Sequence, residues 1–169
     1  DAEDGHRSGG VIIMNTPAFH AGERALQARA GSLERLAEVG ARVIRPAMPD
    51  QHRAFFAQLP FIVTGSVDGA GQPWASVLAG PPGFVTAPAP NQLHIDARPA
   101  AGDPLAEALA IGAHIGLLGI EPHTRRRNRA NGRIATLGDG GFDVQVLQSF
   151  GNCPKYIRAR QAEFVANGT

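Results

Sequence analysis

The chain has 169 residues, 43% of them hydrophobic and 18% charged, and its formal net charge is +1. This length and composition are typical of one globular domain, and the near-zero charge gives no global field that would draw the chain to nucleic acid or anionic lipid. Cys153 is the only cysteine, and no apolar run approaches the roughly 20 residues of a membrane span, so we expect a soluble, cytoplasmic protein with no disulfide and no membrane association.

Two helices are predicted before the first strand. Residues 1–19 lack periodicity and are interpreted as an arm or tail. Apolar residues at helical spacing predict an amphipathic helix over 22–39. A second helix over 50–59, with Asp50 as its cap, buries two phenylalanines and a leucine and ends at Pro60. The stretch 20–60 is therefore interpreted as a helical lead-in.

From residue 61 the pattern changes to strands separated by glycine and proline turns. A hairpin is predicted over 61–67 and 74–79, and a brief helix begins at Asp103. The remaining strands are predicted at 84–85, 93–95, 111–120, 124–137 and 142–147, and a final helix at 154–165. Because strands with one buried face must protect their edges, we expect a mainly β protein with flanking helices (α+β), built as a six-stranded antiparallel split β-barrel over 61–169.

The most unusual segment is the run RRRNRANGR over 125–133. Strand alternation predicts that Arg125, Arg127, Arg129 and Arg133 share one face. Guanidinium groups bind phosphate or carboxylate with two parallel hydrogen bonds, so this face suits a phosphorylated ligand or an acidic partner. A solvated edge that opposes aggregation is the other interpretation.

Two further segments have both a functional and a structural interpretation. Small residues over 72–84 allow a flat ligand close to the backbone, with Ser76 as a hydroxyl donor, or they form a buried strand that runs into a rigid turn. The loop over 149–157 is interpreted as the start of the last helix, with Lys155 in its first turn. In the functional interpretation, the backbone donors at this helix start bind an anion and lower the pKa of the Cys153 thiol. In the structural interpretation, the segment is an ordinary capped helix and the thiol is packed in the protein.

Other classes of active site lack their motifs. The histidines have no metal-ligand spacing, so no metal is predicted. The chain has no G-x-S-x-G, Walker lysine loop or G-x-G-x-x-G, which leaves serine hydrolase, P-loop and Rossmann readings without support. The arginines also lack the interleaved aromatic residues that stack on bases, so no nucleic acid partner is predicted.

Several motifs in this order resemble the pyridoxamine 5'-phosphate oxidase-like, flavin mononucleotide (FMN)-binding split-barrel family, from about residue 19 to 160. They are FHAGE (19–23), MPDQH (48–52), LAGPPGF (78–84), GDPL (102–105), TRRRNRANGR (124–133) and FGNCPKYI (150–157). The resemblance implies a homodimer with FMN between two barrels. The same motifs also resemble the amino-terminal half of longer proteins with two consecutive split barrels.

The resemblance also implies which residues hold the cofactor. The strand around Ser76, Val77 and Leu78 would face the flavin ring, and Arg127 and Asn128 correspond to flavin-contacting polar positions. The full implied set adds Asp96, Arg98, Arg125, Arg133 and Lys155. Ser76 and the segment 102–104 replace basic residues of the well-studied oxidases, so phosphate anchoring is expected to differ here.

The sequence therefore predicts an FMN-dependent oxidoreductase of unspecified substrate, with no catalytic residue assigned. The alternative is a non-catalytic binding or assembly module, or half of a tandem-barrel protein, that holds no flavin. In that case the arginine strand would pair with an acidic partner or with another copy of the chain.

Overall fold

The structure is a computed structural model that describes residues 18–153 and 155–161. The chain forms two compact units, which meet in sequence between Ala41 and Arg42. Nearly all of the predicted arm over 1–19 lies outside the described residues.

The first unit begins with a capped helix, α1 (Ala21–Arg29). The imidazole of His20 accepts hydrogen bonds from the backbone N–H groups of Gly22 and Glu23, and the Glu23 carboxylate accepts from the His20 N–H at 2.9 Å. The two side chains thus bond the backbone N–H groups of His20, Gly22 and Glu23, which a helix start would otherwise leave without partners. The single helix predicted over 22–39 is wrong, because a turn with Gly31 at φ +64° separates α1 from α2 (Leu33–Val43).

The second unit contains a seven-stranded antiparallel sheet. Helix α3 (Asp50–Ala57) precedes it, and α4 (Leu105–Ala108) lies between the fourth and fifth strands. The strands are β1 (Phe61–Val67), β2 (Pro73–Ala79), β3 (Val85–Ala89), β4 (Gln92–Ile95), β5 (His114–Glu121), β6 (Arg126–Leu137) and β7 (Phe142–Asn152). The mainly β prediction with flanking helices is confirmed, whereas the described residues form seven strands rather than six.

The hydrogen-bonded strand order is β2-β1-β5-β6-β7-β4-β3. Strands β2 and β3 are thus the two ends of the sheet and are not paired with each other in the described part of the chain. The β1–β2 hairpin has the predicted turn, in which the Asp68 carboxylate accepts from the N–H groups of Ala70 and Gln72 at 2.9 Å each. Asp68 therefore fixes this turn as an Asx turn.

One hydrophobic cluster draws side chains from all seven strands and from α3 and α4. Phe55 and Phe56 of α3 pack edge-to-face in it, 5.6 Å apart. Gly119 of β5 makes this packing possible, because a Cβ there would lie only 2.6 Å from the Phe55 ring. Arg53 ties α3 to β3 through two hydrogen bonds to the Ala87 carbonyl, at 2.8 and 3.2 Å.

The chain end differs from its prediction. Strand β7 continues to Asn152, so the first four residues of the segment over 149–157 extend the sheet instead of opening a helix. Residues 155–161 form a turn followed by irregular backbone. The helix predicted over 154–165 is therefore wrong for these residues, and its remainder lies outside the described range. No helix in the described ranges combines the length and apolar character needed to cross a bilayer.

Candidate functional site: the outer face of the sheet

Strand β6 presents its arginines on the face of the sheet opposite the core. Its inward positions are buried and include Ala130 and Ile134, whereas Arg127, Arg129 and Arg133 alternate with them and point outward. The prediction of a shared arginine face is confirmed for these three residues. It is wrong for Arg125, which lies in the turn before β6 at φ +60° and does not take part in the strand alternation.

These arginines form no ion pair with an acidic side chain among the described residues. Arg127 donates from Nη2 to the Cys153 carbonyl, and Arg133 donates from Nη1 to the Gly112 carbonyl at 3.2 Å. Neutral carbonyl partners orient a guanidinium but do not cancel its charge. The outer side of β6 therefore carries uncompensated positive charge.

An apolar strip lies beside the arginines on the same face. The antiparallel register aligns Val77, Val63 and Leu118 across β2, β1 and β5 and ends at Arg129 of β6. On one side of this row Ile120 of β5 pairs with Arg127, and Phe61 of β1 pairs with Ala79. A third row has Ala75, Gly65 and Gly116 before Asn131. We call these positions the outer strip: Phe61, Val63, Gly65, Ala75, Val77, Gly116, Leu118 and Ile120. Apart from Phe61, its side chains are small or aliphatic, and Val77 is 58% exposed.

The structure places Ser76 and Leu78 on the inner face, on either side of the outward Val77. Leu78 is part of the core, and the Ser76 hydroxyl donates to Asp103 Oδ1 at 2.6 Å. The same carboxylate accepts the Leu105 N–H at 2.8 Å, so it joins β2 to the start of α4. The Ser76 hydroxyl hydrogen is thus donated within the chain, and its donation to a ligand stays a prediction.

Asn128 is also an inner-face residue. It is 5% exposed, and the register sets it between Gly119 and Gly151 of the neighbouring strands. Its Nδ2 has no hydrogen-bond partner. A buried donor without a partner costs roughly 1–3 kcal/mol, so the Asn128 side chain opposes rather than adds to the stability of the core.

Asp96 and Arg98 are not brought to the arginine end of β6. Both follow β4, whose last residue, Ile95, pairs with Phe142 at the β6–β7 turn, and Arg98 lies 3.8 Å from the Asp139 carboxylate. Arg127 is at the other end of β6, and ten residues of strand span about 30 Å. A single small ligand cannot contact both ends.

The segment after β7 lies at the Arg127 end. Asn152 pairs with Arg127, and Cys153 and Lys155 are exposed just beyond it. The predicted helix terminus that would attract an anion is wrong, because residues 155–161 are not helical. Near Arg127, Lys155 therefore contributes the positive charge of its side chain but no helix start with free backbone N–H groups.

Sequence reasoning missed a buried polar pair beneath α3. His52 Nδ1 and Ser149 Oγ lie 2.9 Å apart, and both residues are buried. Burial lowers the pKa of His52, and the charges of Arg45 and Arg126 lower it further. The available signal was that His52 precedes Phe55 and Phe56 by three and four residues and so shares their helix face.

Two other polar clusters lie away from the outer strip. Trp74 donates its indole N–H to Asp68 Oδ2 at 2.9 Å, which lowers the pKa of that carboxyl, beside a cleft that Asp103 and Glu107 also line. His94 Nδ1 lies 2.8 Å from Asp143 Oδ1, while the Thr136 hydroxyl donates to Oδ2 and is the main cause of the lowered Asp143 pKa. In the described ranges, no group of three potential ligands has metal-binding geometry.

Comparison with known proteins identifies no family. No family model matches the chain, and no curated protein matches it. A solution structure of an N-terminal domain superposes with a TM-score of 0.43 at 17% identity, covering 73% of this chain and 97% of the other. At that TM-score a shared fold is not established, so the similarity supports nothing further.

Proposed function

We propose that the outer strip and the adjoining arginines bind FMN, and that the chain acts as a flavin-dependent oxidoreductase built as a split-barrel homodimer. The observation that carries this proposal is a flat apolar surface bounded by guanidinium groups without acidic partners. FMN has the matching division, with a planar ring at one end and a phosphate at the other.

The arginines at the start of β6 suit the phosphate. Arg129 is exposed and adjoins Leu118 in the register, so its guanidinium is available beside the apolar strip. Arg127 borders Ile120 in the next row, and Lys155 follows in sequence near the same end. Guanidinium–phosphate pairs form two charge-assisted hydrogen bonds, which are about twice as strong as neutral ones.

The middle of the outer strip suits the flavin ring because the glycines there have no side chains that would prevent a planar group from contacting the sheet. Gly65 and Gly116 pair directly across β1 and β5, and nothing approaches within 4 Å of the Cβ position at Gly65. Val63 and Leu118 then supply apolar contact on one side. A second copy of the chain would cover the other ring face, which supports a composite site in a homodimer.

FMN would supply hydride chemistry when bound, and the protein would position it and exclude water from its ring. Of the residues predicted for the cofactor, Val77, Arg127, Arg133 and Lys155 lie on the outer side or at the arginine end. Ser76, Leu78 and Asn128 point inward, so their side chains do not line this surface. Asp96 and Arg98 lie too far from Arg127 to share the same phosphate.

A second candidate is the flavin-free assembly module. The observation in its favour is that the Arg127 guanidinium already donates to the Cys153 carbonyl, so part of its hydrogen-bonding capacity is used within the chain. In this case the outer strip would be a protein interface only, and dimerisation would proceed without a cofactor.

Flavin titration separates the two candidates. FMN and riboflavin are added to the purified protein, and binding is followed by quenching of flavin fluorescence. Arg129→Gln should weaken FMN binding about tenfold, a loss of 1.4 kcal/mol, and leave riboflavin binding nearly unchanged because only FMN carries the phosphate.

Arg98→Gln is the matched control, since it removes one guanidinium from the opposite end of the sheet and should bind FMN as the wild type does. Absence of flavin binding by the wild-type protein would remove the oxidoreductase proposal. Equal losses of FMN affinity in the two variants would show that Arg129 does not bind the phosphate.

A further inference from the structure

A buried carboxylate lies in a small pocket at the end of β5. Glu121 is only 5% exposed, although it carries a carboxyl group and lies at the last position of the strand. The pocket is lined by Gln58, Leu59, Pro60, Ile120, Glu121, Pro122 and His123. Four of these seven residues are apolar, so the carboxylate is the main charged group of an otherwise largely apolar recess.

Two neutral donors hold the carboxylate in place. Gln58 donates from Nε2 to Oε1, and the Thr124 hydroxyl donates to Oε2. An ionised carboxylate offers about four acceptor positions, so roughly two remain after these bonds form. Both oxygens are therefore fixed, and each retains capacity for another donor.

Arg126, the basic residue placed to neutralise Glu121, contacts an aromatic ring instead. Arg126 is the direct cross-strand partner of Glu121, yet its guanidinium carbon lies over the Phe55 ring, 5.1 Å from the centroid, and it forms no ion pair with Glu121. Within the described ranges the single basic group within 4.0 Å is His123, at 4.0 Å, and it is positive only when protonated. Burying a carboxylate without a permanent cation is costly unless a partner compensates it.

We propose that this pocket binds a compact organic cation, an alkylammonium or a guanidinium, with Glu121 as its counterion. The apolar walls from Leu59, Pro60 and Ile120 contact its carbon atoms, and the free acceptor positions of the carboxylate receive its N–H groups. The pocket shares Ile120 with the outer strip, but Glu121 lies on the inner side of β5, so the proposal does not depend on flavin binding.

The probes are methylguanidinium and n-butylammonium, with N-methylurea and n-butanol as uncharged counterparts. Binding is measured on the full chain by calorimetry and by NMR shifts of the Gln58 side-chain amide and the His123 ring. We expect the cations to bind at millimolar or lower concentration and to shift both groups, and the uncharged compounds to bind at least tenfold more weakly. No cation binding, or equal binding of the uncharged compounds, would overturn the proposal.

Glu121→Gln keeps the size of the side chain and should reduce cation binding at least tenfold. Glu107→Gln, on α4, removes an exposed carboxylate outside this pocket and should bind as the wild type does. Equal affinity in Glu121→Gln and the wild type would overturn the assignment.

His123→Lys provides a test that does not depend on altering a buried residue. His123 is about half exposed, so the fold should tolerate the change, and the lysine ammonium would act as a resident cation at the pocket. We expect it to weaken binding of both probe cations at least tenfold. If cation binding is unchanged, Glu121 is not the counterion.

Discussion

The two faces of the sheet follow the same strand alternation but have different consequences. On β2, Leu78 points inward and is 1% exposed, while its neighbour Val77 points outward and is 58% exposed. On β6, inward Ala130 and Ile134 join the core, while outward arginines meet no acidic partner among the described residues. The inner face therefore holds the fold together, and the outer face retains apolar surface and charge that the fold does not use.

The largest expected effect is a difference in the free energy of unfolding between an inner-face and an outer-face substitution on β2. Leu78→Ala should lower the free energy of unfolding by about 3 kcal/mol, because it leaves a cavity in the packed core. Val77→Ala, one residue away, should change the free energy of unfolding of the monomer by less than about 0.5 kcal/mol, because within one chain its side chain lies outside the core. Chemical denaturation of both variants measures the difference. Similar losses would mean that the outer strip is part of a core.

A smaller effect is expected when charge is placed on the outer strip. Val77→Asp should leave the monomer folded, since the position is exposed, but weaken self-association about tenfold by burying a carboxylate in the proposed dimer interface. Sedimentation of this variant and of Val67→Asp tests the point, because Val67 is equally exposed on β1 but lies outside the outer strip. If the two variants associate equally well, the interface is elsewhere.

The sequence predicted those features that depend on neighbours along the chain. The β1–β2 hairpin, α3, and the common face of Arg127, Arg129 and Arg133 follow from period and turn chemistry. Features set by contacts between distant segments were missed. The Ser76–Asp103 hydrogen bond joins residues 27 positions apart, and the separation of Arg98 from Arg127 follows from strand order, which local patterns do not contain.

The break between α1 and α2 and the extended β7 show the same limit at shorter range. Gly31 carries a positive φ within a stretch whose apolar spacing favours one helix. At the chain end, Asn152 is a residue type that caps helices well, yet its pairing with Arg127 extends the sheet. Tertiary pairing overrides local propensity in such segments.

The smallest expected effect concerns the inner face and pH. The pKa of His52 is lowered in the folded protein from the ordinary value of 6.5, chiefly by burial. Protonation therefore favours the unfolded chain, and this contribution to stability is complete above pH 6.5 and falls as the pH drops towards the folded-state pKa. The slope for one proton cannot exceed about 1.4 kcal/mol per pH unit.

Denaturation of the wild type and of His52→Gln at pH 7.5 and pH 5.5 measures this term. The glutamine retains a hydrogen-bonding group near Ser149 but has no titrating proton, so stability should fall less with acid in the variant than in the wild type. His114→Gln, at an exposed position on the outer side of β5, is the matched control and should retain the wild-type dependence associated with His52. An identical acid response in the wild type and His52→Gln would show that burial beneath α3 does not oppose protonation of this histidine, and the difference between the faces would then lie in packing alone.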